Sequence, residues 1–202
     1  MAAVATLDSV AEKIAPGRTP AYTSAQVLKA MELISESSIG RQQLADKLGI
    51  GEGSTRTIVK RLTIEGLIST TRGGMALTAE GRRLLDEIHN IVIGSEIKQS
   101  GITVGTHDYA VIVRRASHSI KNGIEQRDSA LLAGAKGATT LVYDGERFMV
   151  PGVEVSAKED LGAELSTTFK PEKGDVLIIG SADDPIAAEI GAKASALELL
   201  RN

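Results

Sequence analysis

The sequence predicts an α+β protein of two domains, and three observations predict it. Between about residues 22 and 92, apolar residues recur at the three-and-four spacing of short helices and end in a glycine-containing strand–turn–strand. Beyond about residue 105, short apolar strands alternate with helical stretches. Between the two, "GSEIKQSGITVGT" at 94–106 is polar and glycine-rich, and the domain boundary is expected around there. At 202 residues the chain can hold two cores, since domains commonly run to about 100–150 residues. The expected domains are 22–93 and 105–202.

The bulk composition narrows the function classes. Apolar residues make up 42% and charged residues 24%, which is an ordered globular composition. Aromatics are only 2%, with no Trp, so the core must be aliphatic and a base-stacking platform has little to build on. The absence of Cys excludes disulfides, thiolate metal sites and a thiol nucleophile, and it agrees with a reducing compartment. The opening "MAAVATLDSVAEKIAPGRTP" carries acids and no sustained apolar run, so neither a signal peptide nor an anchor is expected. No segment approaches the roughly 20 apolar residues of a membrane span. A cytoplasmic protein without a membrane partner is expected.

In the first half, "PGRTP" cannot sit inside a helix, and Ser24 is expected to cap "AQVLKAMELISES", where Val27, Leu28, Met31, Leu33 and Ile34 share a face. "SSIGRQQLADKLGI" predicts a second helix over about 41–48, stopped by Gly49, with Leu44, Ala45 and Leu48 inward. After "GIGEGS", with Ser54 as cap, a third helix is predicted over about 55–65. Its Thr55, Ile58, Val59 and Leu62 share one side and leave Ser54, Arg56, Thr57, Lys60 and Arg61 on the other. "GLISTTRGGMALTAEG" then reads as strand, Gly-Gly turn, strand and a helix capped by Thr78, with Arg72 at the hairpin tip. Three short helices and a hairpin make a winged helix-turn-helix pattern. The next helix, continuing through Leu84, Leu85, Ile88, Ile91 and Val92, has more apolar surface than a wing needs, which suggests a dimer or interdomain contact.

The chain carries net charge -3, yet residues 53–72 hold four basic side chains against one acid, Glu65. Phosphate contact depends on the face presented, so global acidity does not veto it. An exposed helix face of arginine, lysine and hydroxyls has the donors that read base edges in a major groove, and a hairpin arginine can reach the backbone or minor groove. The candidates are Arg56, Thr57, Lys60 and Arg61 on bases, Ser54 and Arg41 on phosphates, and Arg72 on the wing. The bland alternative for such a face is a solvated amphipathic helix.

The phrase "STRTIVKRLTIEGLISTTRGGMALTAEGRRLL" resembles the recognition helix, wing and following helix of winged-helix transcriptional regulators. The resemblance covers about 22–92 and implies double-stranded DNA as partner. With "RDSALLAGAKGATTLVYDGERFMVPG" and "KGDVLIIGSADD" following, the whole chain resembles a poorly characterised archaeal group of winged-helix proteins taken to be regulators.

The second half reads as strand (Tyr109 to Val113), helix (at least 123–133), two strands around Asp144-Gly145, a short helix, a buried strand in "KGDVLIIGSA" and a closing helix with Pro185 near its first turn. This is a C-terminal α/β sandwich whose element order a ferredoxin-like split arrangement, βαββαβ with an extra helix, would satisfy. A small anionic effector could be held by Arg114, Arg127, Asp128, Gly134, Gly137, Thr139 and Thr140, through backbone amides left open by the glycines and through arginine pairing. The competing reading is that Gly134 ends a helix, Gly137 turns into a strand, Arg127 pairs with a nearby acid, and Asp183 or Asp184 caps the last helix. His89, His107 and His118 show no metal-ligand spacing, and there is no GxSxG, so no metal, cofactor or catalytic residue is expected. The expectation is therefore a homodimeric, sequence-specific transcriptional regulator with a sensing or dimerisation domain. Its rivals are an enzyme of nucleotides or phosphorylated metabolites with a fused winged helix, and a winged-helix protein-interaction module.

Overall fold

A computed structural model of the chain describes residues 2–12, 22–71, 73–152, 157 and 159–201. The chain divides into two compact units, Met1–His89 and Asn90–Asn202.

The first unit contains α1 (Ala2–Ala11), α2 (Ser24–Glu36), α3 (Arg41–Leu48), α4 (Glu52–Ile64), a hairpin of β1 (Ile68–Thr71) and β2 (Gly74–Leu77), and α5 (Ala79–His89). Helix α1 was not expected from the sequence. Its Val4, Leu7 and Val10 are buried against the rest of the unit, each contributing about 1.5–3 kcal/mol, and it packs on α2, α4 and α5. The cap of α2 is Thr23, not Ser24: the Thr23 backbone N–H donates to Gln26 Oε1 at 2.7 Å, while the Ser24 hydroxyl donates to Asp8 Oδ1 of α1 at 2.5 Å. Helix α4 starts three residues earlier than the spacing suggested, with Gly51 at its N-cap, so Ser54 lies inside its first turn. Helix α5 stops at His89, and the surplus apolar residues have separate uses. Leu84, Leu85 and Ile88 are buried, and α5 packs on α1 and α2, whereas Val92 begins a strand of the second unit. At Gly81 a Cβ would lie 2.0 Å from the Leu67 carbonyl oxygen, so only glycine lets α5 close on the hairpin there.

The second unit holds β3 (Val92–Ile97), β4 (His107–Val113), a 3-10 turn (Ser117–Ser119), α6 (Ile124–Leu132), β5 (Gly137–Tyr143), β6 (Phe148–Met149), α7 (Glu159–Phe169), β7 (Val176–Ala182) and α8 (Pro185–Leu199). The strands form one antiparallel sheet in the order β3-β4-β7-β5-β6. All seven residues of β7 are buried, as its central place requires. Leu177 and Ile179, with Ala110, Ile112 and Leu141, pack on Leu161, Leu165 and Phe169 of α7. The opposite face carries α6 and α8, and α8 reaches β7 at Gly180, where a Cβ would lie 2.4 Å from the Ala188 oxygen. The α/β sandwich expected from the sequence is thus a three-layer one.

The ferredoxin-like option is not the arrangement adopted. In that split, the strand inserted between the two parallel strands of the βαβ unit is the hairpin partner of the second. Here β7 is inserted between β4 and β5, and the hairpin strand β6 lies at the edge. Residues 94–106 belong to the second unit, which begins at Asn90: β3 pairs with β4, and the following loop is pinned where Asp108 Oδ2 accepts from the Ser100 N–H and the Thr103 hydroxyl, both at 2.7 Å. Asp184, preceding Pro185, caps α8 by accepting from the Ala187 N–H at 2.9 Å.

One end of the sheet is organised by the fully buried Asp175. Its carboxylate accepts from the N–H groups of Arg115 and Glu172, each at 2.9 Å, and from Arg114 Nη1 at 2.6 Å. Burial by itself would raise its pKa, but these donors outweigh it and hold the group below the ordinary carboxylate value. Replacing Asp175 with Ala removes the counter-charge of Arg114 and the acceptor of the Arg115 and Glu172 N–H groups, and should cost about 3–5 kcal/mol, read from urea unfolding at neutral pH. Because the folded pKa is the depressed one, the carboxylate's contribution is complete above the unfolded-state value of 3.8 and lost as pH falls below it. Asp175→Asn should therefore show a flatter loss of stability between neutral pH and pH about 3 than the unaltered chain.

Candidate nucleic-acid interface

Three elements of the first unit surround one groove of about 760 Å³: the N-terminus of α3, the outer face of α4 and the β1–β2 hairpin. The burial of Thr55, Ile58, Val59 and Leu62 sets the roll of α4. With that side inward, Arg56, Thr57 and Lys60 are exposed, and Arg56 and Lys60 line the groove beside Arg41 at the start of α3. The α3 N-terminus adds the positive end of its dipole to the same place. Among the described residues no carboxylate lines the groove, and Arg41, Arg56 and Lys60 take part in no ion pair. The cleft therefore does not neutralise its own positive charge.

The hairpin is fixed to this floor. Ile39, in the α2–α3 connection, bridges Met75 of β2, and the Ser38 hydroxyl donates to the Gly73 carbonyl at 2.5 Å. Gly74 sits at φ 122, and a Cβ there would meet Ser38 Oγ at 2.3 Å, so the turn beside the groove requires glycine twice over. Arg72, the expected hairpin-tip residue, lies outside the described residues.

The other sequence candidates separate. Arg61 is withdrawn from the outer face: its Nη1 donates to the Val10 carbonyl at 2.7 Å and to that of Glu12, closing the C-terminal end of α1. A cation belongs there by dipole and by unpaired carbonyls alike. Tyr22 donates to the same Val10 oxygen at 3.3 Å, and its burial pushes the phenol pKa up against the opposing pull of Arg61. The sequence could not show this, because the partner helix lies 50 residues upstream. Ser54 is half-buried, and the Thr57 hydroxyl donates back to the Gly53 carbonyl at 3.0 Å, leaving its oxygen to accept. Sequence reasoning missed Gln43, Thr63, Thr70 and Thr71, which also line the groove. The helical period hinted at Thr63, seven residues after Arg56, and the first turn of α3 at Gln43, whereas β1, buried only at Ile68, carries no alternation that would mark Thr70 and Thr71.

In the second unit the effector candidates are not gathered. Arg114 is bonded to Asp175 and to the Phe169 carbonyl at the start of β7, whereas Gly137 pairs with Ser181 at its other end, roughly 20 Å away along the strand. Gly134, at φ 97, closes α6 with its own N–H on the Leu131 carbonyl and that of Ala135 on the Ala130 carbonyl, a left-handed helix cap. The Thr139 hydroxyl donates to the Ile102 carbonyl at 3.3 Å, and Thr140 is buried. Arg127 and Asp128 are exposed on α6. Among the described residues no group of three His, Asp or Glu could hold a metal ion, and no helix is long and apolar enough to cross a membrane.

Comparison with known proteins divides the chain in the same way. Residues 23–92 match the family model described as the CggR N-terminal DNA binding domain. Residues 104–199 match a domain of unknown function, DUF4443. Over 89% of this chain and 98% of the other, the fold is similar to that of the hypothetical protein PH0730 from Pyrococcus horikoshii OT3, at 26% identity and a TM-score of 0.70. No curated protein matches the chain.

The placement of Arg61 has a measurable consequence. Arg61→Ala removes two charge-assisted bonds, each worth about 1.5–3 kcal/mol, so amide hydrogen exchange over 2–12 should accelerate. Arg56→Ala should leave α1 protection unchanged. Equal exchange in the two variants would detach Arg61 from the α1 terminus.

Proposed function

We propose that the chain is a DNA-binding transcriptional regulator that reads duplex sequence with its first unit and dimerises through its second. The observation that carries the reading is the groove at α3, α4 and the hairpin, lined by Arg41, Arg56 and Lys60 with no carboxylate to neutralise them. The match of 23–92 to a DNA-binding domain supports the same reading. Helix α4, 13 residues and about 20 Å long, fits the roughly 12 Å width of a major groove with its apolar side still in the core. Arg56, projecting from the first half of α4, is placed as a base-edge donor, since recognition helices read with their N-terminal residues. Lys60, one turn later, is placed as a phosphate contact, and Arg41 at the α3 N-terminus as another. Gln43 and Thr57 are additional polar contacts on the same face. The second unit is assigned dimerisation rather than anion sensing, because the residues that could hold an anion are spread over both ends of β7.

Selection of bound fragments from a random duplex library, sequenced at moderate salt, tests the reading directly. A two-fold symmetric motif is expected. Arg56→Ala should relax preference at one position of that motif by about 1–3 kcal/mol. Lys60→Ala should weaken all sequences alike and lower the salt slope by about 1. Failure to enrich any motif, or two variants that bind as the unaltered chain does, would remove α4 as the reading helix.

A further inference from the structure

The outward face of α4 is polar and cationic except at one position. Four residues after Lys60 and eight after Arg56, Ile64 continues their line along the helix. At about 100° of rotation per residue, it points within about 10° of the direction opposite the buried Thr55, Ile58, Val59 and Leu62. It is 70% exposed, and among the described residues of the first unit no other large hydrophobic side chain is exposed. It also lines the groove, where the other aliphatic members, Ile39, Val59 and Met75, are buried. A lone exposed aliphatic residue on an idle surface needs no explanation. This one stands on the face that carries Arg56 and Lys60.

We infer that Ile64 is a specificity-determining residue that reads the C5-methyl group of a thymine in the major groove. The inference rests on the DNA reading proposed above and names a feature of the duplex sequence for it. Base edges in the major groove present hydrogen-bond donors and acceptors, and the thymine methyl is their apolar substituent. Ile64 set against a donor or acceptor would strip that group of water and give no hydrogen bond in return. Against a methyl group, both partners remove apolar surface from water. Duplex DNA thus offers on one surface the anions that suit Arg41, Arg56 and Lys60 and the apolar group that suits Ile64. The spacing adds a constraint. Eight residues of α-helix span about 12 Å, or roughly three to four base pairs at about 3.4 Å each for a helix lying along the groove. The thymine therefore falls that far from the base pair that Arg56 contacts.

With the motif from duplex selection in hand, fluorescence anisotropy at moderate salt would compare the selected duplex with copies in which each thymine in turn is replaced by uracil. The replacement removes one methyl group and keeps every hydrogen-bonding group of the base. A thymine is expected three to four pairs, by the roughly 3.4 Å rise, from the position that Arg56→Ala relaxes. Uracil there should weaken binding by the full-length chain about three- to fivefold, the size of one methyl group returned to water. Ile64→Ala should bind the two duplexes within about 1.5-fold of each other, with the salt slope unchanged. A partly unfolded variant would lose affinity for both duplexes together and keep the ratio, so the ratio isolates the contact. A motif without thymine at that spacing, a uracil copy bound as tightly as the thymine one, or a thymine preference that survives in Ile64→Ala each overturns the inference and leaves DNA reading by α4 in place. Failure to enrich any motif removes that reading and the inference with it.

Discussion

The first unit depends on the roll of α4. Thr55, Ile58, Val59 and Leu62 cannot leave the core without exposing aliphatic surface, and the buried Thr55 hydroxyl is satisfied within the helix by the Gly51 carbonyl at 3.3 Å. Once that side is inward, helical geometry alone decides that Arg56 and Lys60 face outward together. The Arg61 contact with the end of α1 then acts as a second constraint on the same helix. An arginine on the flank of α4 serves the packing, while its neighbour one residue earlier in the chain faces solvent.

The charge of the groove is a matter of what is missing around it. Several exposed cations elsewhere among the described residues have acids beside them, as in Arg83 with Glu80 and Glu87, Lys121 with Glu125, and Lys136 with Asp183. Such surface pairs contribute little to stability, but they cancel the local field. Arg41, Arg56 and Lys60 have no such neighbour. Their mutual repulsion is unfavourable in the isolated protein, and an anion placed among them would offset it.

In the second unit β7 is the element the others are arranged on. Strands β4 and β5 pair with its two edges, α7 packs on one face, and α8 approaches the other at Gly180. Asp175, immediately before β7, binds the chain leaving β4 and the chain leaving α7, so the central strand also fixes the connections at its own beginning. These contacts occupy two of the groups that the sequence offered as ligand candidates: Arg114 holds Asp175, and Gly134 closes a helix.

The sequence by itself determined what depends on neighbours within one or two turns. The amphipathic faces of α2, α3 and α4, the hairpin with its Gly-Gly turn, the two cations Arg56 and Lys60 on one side of a helix, and the buried apolar run of β7 are all periodicities of 3.6 or 2 written in adjacent residues. Tertiary structure decided what depends on distant partners. It showed that "AVATLDSV" is a helix once α2 and α5 are there to cover it, that Arg61 belongs to that helix's end, and that 92–97 is a strand because β4 offers it an edge. It also set β7, rather than the hairpin strand β6, between β4 and β5. Local propensity carries no information about which strand lies beside which, since that choice rests on how whole faces pack across intervals of tens of residues.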